Sequence, residues 1–213
     1  MNLRLLQSSF VGVWEKPLPN IPPIDRKFLL DLYEDPYYTN VGLNHEGLVI
    51  THMIDNPRGS TIINANRIQV SSPDYAQTSH LTAKIYEALS SIPGFLNTFP
   101  YSSIGINSEV EVSSLPYPGK DWLSGVFFGE FKNKNPDLVD AFPYHIRFEA
   151  RTEKNLRLNY LIQISTGDEN AVHVSLNDDK FWSEKPHPSR LEIEDFFLDS
   201  NLELNTRLKK LLN

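Results

Sequence analysis

The chain has 213 residues, long enough to bury a real core as one domain or two small ones, and it contains no cysteine. That excludes disulfides, thiolate metal sites and cysteine nucleophiles, and it fits a reducing compartment. The hydrophobic fraction of 40% is that of a globular protein, and a formal net charge of −7 argues against a broad nucleic-acid footprint, which needs clustered Lys and Arg.

The opening residues, Met1 to Trp14, lack a long apolar stretch followed by a small-residue cleavage site, so no signal peptide is expected. No apolar run approaches the ~20 residues that cross a bilayer, and a cytoplasmic location is the expectation. Leu3 to Trp14 instead reads as a strand, with Phe10, Val11, Val13 and Trp14 as core candidates. The segment Pro17-Leu18-Pro19-Asn20-Ile21-Pro22-Pro23 must be extended, because proline fixes φ and restrains its predecessor. It is read as a stiff connector rather than an SH3-type ligand. Phe28 to Tyr33 is ambiguous between helix and strand. Leu48 to Ile54 is a strand, and the turn chemistry of Asn56-Pro57-Arg58-Gly59 makes 48–70 a hairpin.

The stretch from Ser60 to Ser113 reads strand, helix, strand. Ile62, Ile63, Ile68 and Val70 are β-branched and follow no helical period. Ser72 then caps a helix that begins at Pro73, with Asp74 in its first turn. Leu81, Ile85, Ala88, Leu89 and Ile92 make one apolar stripe, Lys84 and Glu87 lie opposite, and Pro93-Gly94 is the stop. The next strand puts Val110 and Val112 inward and Glu109 and Glu111 outward.

Pro116, Pro118 and Gly119 mark 113–121 as the one plausible internal linker. Leu123 to Lys132 reads as an apolar strand. Tyr144 to Thr152 and Leu156 to Ile164 form a hairpin around Glu153-Lys154-Asn155; Ile146, Phe148 and Ala150 face inward and Arg147, Glu149 and Arg151 outward. After Gly167-Asp168-Glu169-Asn170, Ala171 to Leu176 is a further strand. Helix closes the chain: Ser189 and Glu192 have capping-box spacing, as do Ser200 and Glu203, and Leu204, Leu208 and Leu211 line one face. The expected class is α+β, with antiparallel sheet and helices packed on one face. Residues 1–112 and 122–213 are either two similar subdomains or parts of one compact domain.

The proline-rich lead Lys16-Pro17-Leu18-Pro19, the strand ending Asn66-Arg67-Ile68-Gln69-Val70, the amphipathic helix and Ser103-Ile104-Gly105-Ile106-Asn107 follow one another. A later strand runs into Asn177-Asp178-Asp179 ahead of an acidic terminal helix. Together these resemble a sporadically distributed family of bacterial and phage-associated proteins of unknown function. The resemblance implies a microbial, mobile-element setting and an accessory role, and carries no catalytic residues across.

Glu130-Phe131-Lys132 is the sharpest enzymatic candidate. An acid and a lysine at alternate positions of a strand, beside a second acid such as Asp121, Glu109 or Glu111, would suit a divalent-metal nuclease. On the wet face of an edge strand the same residues are an ion pair, and no basic groove accompanies them. The six histidines show no ligand spacing, although His145 and His173 fall in strands that could be neighbours and His187 sits between two prolines. No serine-nucleophile or phosphate-loop motif occurs, and neither a metal nor a cofactor is expected. Glu192, Glu194, Asp195 and Asp199 lie in a helix with Leu191, Ile193, Phe196 and Phe197; the favoured reading is an amphipathic helix whose apolar face is core and whose acids are solvated, and the functional one is an acidic, aromatic surface for a basic protein. Phe99 and Tyr101 could form a second contact patch, although such residues more often cap the core beneath a loop. The leading expectation is a non-catalytic interaction or regulatory protein with a protein partner, self-association being open. The alternatives are the nuclease using Glu130, Lys132 and Asp121, and a small-ligand binder with a pocket between sheet and helix.

Overall fold

The structure, a computed structural model, describes residues 1–18, 40–44, 47–53, 58–135, 137, 142–151, 157–181 and 187–212. The proline segment beyond Leu18, the ambiguous stretch Phe28 to Tyr33, the turn at 54–57 and the hairpin tip at 152–156 lie outside the described residues.

In chain order the strands are β1 (Asn2–Trp14), β2 (Asn40–Asn44), β3 (Gly47–Met53), β4 (Arg58–Ile63) and β5 (Arg67–Ser72), then β6 (Tyr101–Ser113), β7 (His145–Arg151), β8 (Arg157–Ile164) and β9 (Val172–Phe181). Helix α1 (Tyr75–Ser90) follows β5, α2 (Gly119–Lys134) follows β6, and α3 (Arg190–Leu212) follows β9. The sheet has nine strands in the order β2-β3-β4-β5-β1-β6-β9-β8-β7. Outward from the central β1–β6 pair, each side meets the last strand of a meander first: β5 to β2 on one side, β9 to β7 on the other. Each meander then feeds a helix. The α+β class read from the sequence is therefore the observed one, and its plan occurs twice along the chain.

The chain divides into two compact units, Met1–Leu6 with Ser108–Asn177, and Gln7–Asn107 with Asp178–Asn213. Strands β1, β6 and β9 each supply residues to both. The stretch 113–121 holds the end of β6, a left-handed Ser114 (φ 56°) and the start of α2.

In the unit holding Gln7–Asn107, Phe10 and Trp14 of β1 are buried while Val11 and Val13 are only half-buried, so the strand alternates where the sequence suggested four core residues. Helix α1 lays Leu81, Ile85 and Leu89, all fully buried, toward the sheet, and Thr78 Oγ1 donates to the Ser8 carbonyl at 3.3 Å. Its cap is Asp74 rather than Ser72: the Asp74 carboxylate accepts from Gln77 N–H at 2.8 Å, whereas Ser72 ends β5. The helix ends at Ser90, and Gly94 follows in the left-handed region (φ 71°), where a side chain is strained. The expected single strand over 60–72 is two. Asn64 Oδ1 accepts from the N–H groups of Asn66 and Arg67, both at 2.9 Å, and turns the chain so that β4 pairs antiparallel with β5.

The largest correction falls on Leu123 to Lys132, which is helix and not strand. A short apolar run does not by itself separate the two. The deciding signals are electrostatic: Asp121 sits in the first turn and Lys132 and Lys134 in the last, as the helix dipole favours, and Pro118 precedes the start. Trp122 and Leu123 are buried; Val126 is exposed. In this same unit Val110 and Val112 are buried as expected, but in β7 the alternation is incomplete, because Ile146 and Phe148 are half-buried and Ala150 is exposed.

Candidate functional site

Helix α3 is one continuous helix from Arg190 to Leu212. The capping box at its start forms as read: Ser189 Oγ donates to Glu192 Oε2 at 2.6 Å and Ser189 N–H to the same oxygen at 2.8 Å. The second box does not form, because Ser200 lies mid-helix and is buried. Ile193, Phe197, Leu204 and Leu208 recur at steps of four, seven and four residues and are buried, with Phe197 6.3 Å from Phe10. A second tie is ionic. Arg207 Nη1 donates to Asp178 Oδ1 at 2.8 Å where both side chains are largely buried. Burial pushes the Asp178 carboxyl above its ordinary range, and the guanidinium opposes that rise.

The other side of α3 is not finished by packing. Leu191, Leu198 and Leu202 are 70%, 57% and 62% exposed. Steps of seven and four residues put them on one line of the helix, opposite the buried stripe, with Asp195 on the same line and Asp199 beside it. Leu191 was grouped in the sequence with core residues; it is on the outside. Leu198 and Leu202 were not singled out at all. Their signal was the 191–198–202 spacing, which an expected break at Ser200 conceals.

Of the expected partner-contact residues, Glu192 is engaged in the cap, and Glu194 accepts from Arg190 Nε at 2.8 Å while Arg190 also reaches Glu87 at 2.6 Å. Asp195 is exposed. Phe99 is half-buried and tilts against Phe95 at 5.1 Å. Tyr101 is 2% exposed and stacks on Trp14 at 4.7 Å, so it is a core residue and not a contact on the surface.

Glu130, Lys132 and Asp121 all lie on α2. Residues two apart on a helix are separated by about 200° around its axis, and residues nine apart by about 180°. The shared face that a strand would have given Glu130 and Lys132 is therefore absent. Glu130 is 93% exposed at its side chain, with Lys134 Nζ 3.9 Å away.

Glu109 and Glu111, the other acids weighed, lie on β6 beside β9. Glu111 sits between Arg4 (2.9 Å) and His173 (3.9 Å), and Ser175 Oγ donates to Glu109 Oε2 at 2.5 Å. Serine and histidine here contact different carboxylates, so the row is a cross-strand polar ladder rather than a nucleophile relay. His145 is on β7, separated from β9 by β8, so the two histidines are not on neighbouring strands. Among the described residues no group of three or more His, Asp or Glu could hold a metal ion.

His187 contacts the Tyr86 hydroxyl through Nδ1. Burial, and then the negative charge of Glu192, raises the Tyr86 phenol well above its ordinary range, so it stays protonated. A hollow of about 140 Å³ adjoins them, lined by Ile92, Phe95, Leu96 and Asn97 among others. It lies at the C-terminal end of α1 and is smaller than the ~300 Å³ at which ligand sites begin.

No protein-family model and no curated protein matches the chain. Among solved structures it is similar to one described as "Methanococcus jannaschii TBP", at 13% identity and a TM-score of 0.38, over 95% of this chain and 97% of that one. It is also similar to "the di-domain ARO/CYC BexL from the BE-7585A biosynthetic pathway", at 10% identity and a TM-score of 0.22, over 94% and 95% of the two chains. At these TM-scores neither likeness carries an argument about this protein.

Proposed function

We propose that this is a non-catalytic interaction or regulatory protein that binds a basic protein partner through the outward line of α3. The observation carrying the reading is that one helix presents two apolar stripes. One is buried, and the other, Leu191, Leu198 and Leu202, is left in water with Asp195 and Asp199 alongside. Single exposed leucines are ordinary, but three in register on one helix form the kind of anchor line that helix-in-groove contacts use. The acids select a partner whose apolar anchors are flanked by Lys or Arg, and they make the encounter salt-sensitive.

The setting proposed is the cytoplasm of a bacterium or a phage-infected cell, in line with the resemblance in the sequence. Among the described residues no helix is long and apolar enough to cross a membrane.

The test is affinity capture from the source cells with the unaltered chain and with Leu198→Glu/Leu202→Glu. Both positions are exposed, so the variant keeps its fold. Retention of one basic protein should drop at least about tenfold in the variant, since each of the two lost anchors costs more than about 1 kcal/mol and about 1.4 kcal/mol is tenfold. Equal retention by both proteins, or no specific capture by the unaltered chain, contradicts the proposal.

A further inference from the structure

Strand β7 is the last strand of the sheet and pairs only with β8. Among the described residues nothing is paired with its outer side, and its backbone N–H and C=O groups there are a template for another strand. Natural sheets usually blunt such an edge with very short strands, proline or charged side chains. The sequence His145-Ile146-Arg147-Phe148-Glu149-Ala150-Arg151 uses neither of the first two, and its charges are of both signs, so they can pair across the edge as well as repel. It spans seven residues, has no proline, and alternates Arg147 with Glu149 on one face. Its apolar face is unfinished: Ala150 is exposed, Phe148 is half-buried although stacked on Tyr160 at 4.7 Å, and Phe142 and Tyr144, just ahead of the strand, are 51% and 63% exposed.

We infer that β7 pairs with β7 of a second copy of this chain, antiparallel and centred on Phe148, joining two sheets edge to edge. The pattern of charge selects that occupant and that register. With Phe148 opposite itself, paired positions sum to 296, so Arg147 faces Glu149 of the second copy, Glu149 faces Arg147, and Ile146 faces Ala150. Both central pairs are then of opposite charge, and each side chain lies on the same face as the one it meets. Centring the ladder on 147 or on 149 instead sets Arg147 against itself or Glu149 against itself. The arrangement is isologous and closed, as a two-fold dimer requires. Glu149 already accepts from Arg157 at 2.9 Å, but both side chains are over two-fifths exposed, and a carboxylate has room for a second cation. The inference is independent of the α3 surface.

The test uses sedimentation equilibrium of the full chain, up to its highest soluble concentration. The unaltered protein should associate reversibly to twice its 24.4 kDa mass. Arg147→Glu places Glu against Glu at both central positions, and Glu149→Arg places Arg against Arg. Each should weaken self-association at least about tenfold. Mixing the two single variants restores both opposite-charge pairs, so a heterodimer should form where neither variant pairs with itself, and the doubly exchanged R147E/E149R chain should again self-associate. That rescue separates lost pairing from lost folding. An unaltered chain that stays monomeric, single variants that dimerise as it does, or a mixture that stays monomeric would each overturn the inference.

Discussion

Gly12 and Asp178 show how much of this structure is decided by one residue. A Cβ on Gly12 would sit 2.7 Å from the Tyr101 ring, closer than real contacts allow, and a tight 3.0 Å from Ile68 Cγ2. The ring stacks on Trp14, whose Nε1 donates to the Asn64 carbonyl at 3.1 Å. Gly12→Ala should therefore cost about 1–3 kcal/mol, as overpacking does, read as a lower urea midpoint with an unchanged slope; an unaltered midpoint would show that the ring can move aside. At Asp178 the pH dependence has a definite sign. Its folded pKa is raised, so its neutral form favours the fold. That contribution is complete below the unfolded value and is lost as pH rises through the folded one. Arg207 offsets the loss. Arg207→Ala should destabilise the chain by about 3 kcal/mol at neutral pH, with the deficit shrinking in mild acid. A deficit that does not change with pH would mean the carboxylate is not what Arg207 serves.

At the scale of elements, the sequence was readable where periodicity and capping agreed. The stripe Leu81–Ile85–Leu89 and the Pro93-Gly94 stop placed α1 to within two residues at each end, because sheet packing and helix period demand the same positions. The strands β6 and β7 were legible from alternation. Two failures have physical causes. Leu123 to Lys132 read as a strand because its apolar run is short, although the opposite charges at its two ends favoured helix, and the nuclease constellation built on a strand was lost with it. Ser200 and Glu203 read as a cap because the motif is local, whereas the buried stripe through Phe197, Leu204 and Leu208 runs past it. The two boxes should behave differently. Ser189→Ala should cost about 1 kcal/mol and speed exchange of the first-turn amides of α3. Ser200→Ala should leave every α3 amide protected to the same degree; fraying on both sides of residue 200 would mean the helix is broken there after all.

At the largest scale, the described strands are ordered outward from β1 and β6, with meanders of four strands on one side and three on the other. That mirrored order shows in the sequence only as the option of two similar subdomains, because strand order is set by long-range pairing that no local pattern records. The candidate site was less legible still. Its acids, Asp195 and Asp199, stood out by composition; the 191–198–202 spacing of the leucines was hidden by the break expected at Ser200. The central claim is that this outward line, and not a catalytic cleft, is what the molecule uses. It is tested most directly by placing a photoreactive residue at position 198 and, as a control, at the exposed position 117, then cross-linking in the source cells. The expected result is one basic protein joined at 198 and absent at 117, lost when Asp195 and Asp199 are both changed to Lys. Cross-links of the same pattern at both positions, or an adduct at 198 that survives the charge reversal, would contradict it.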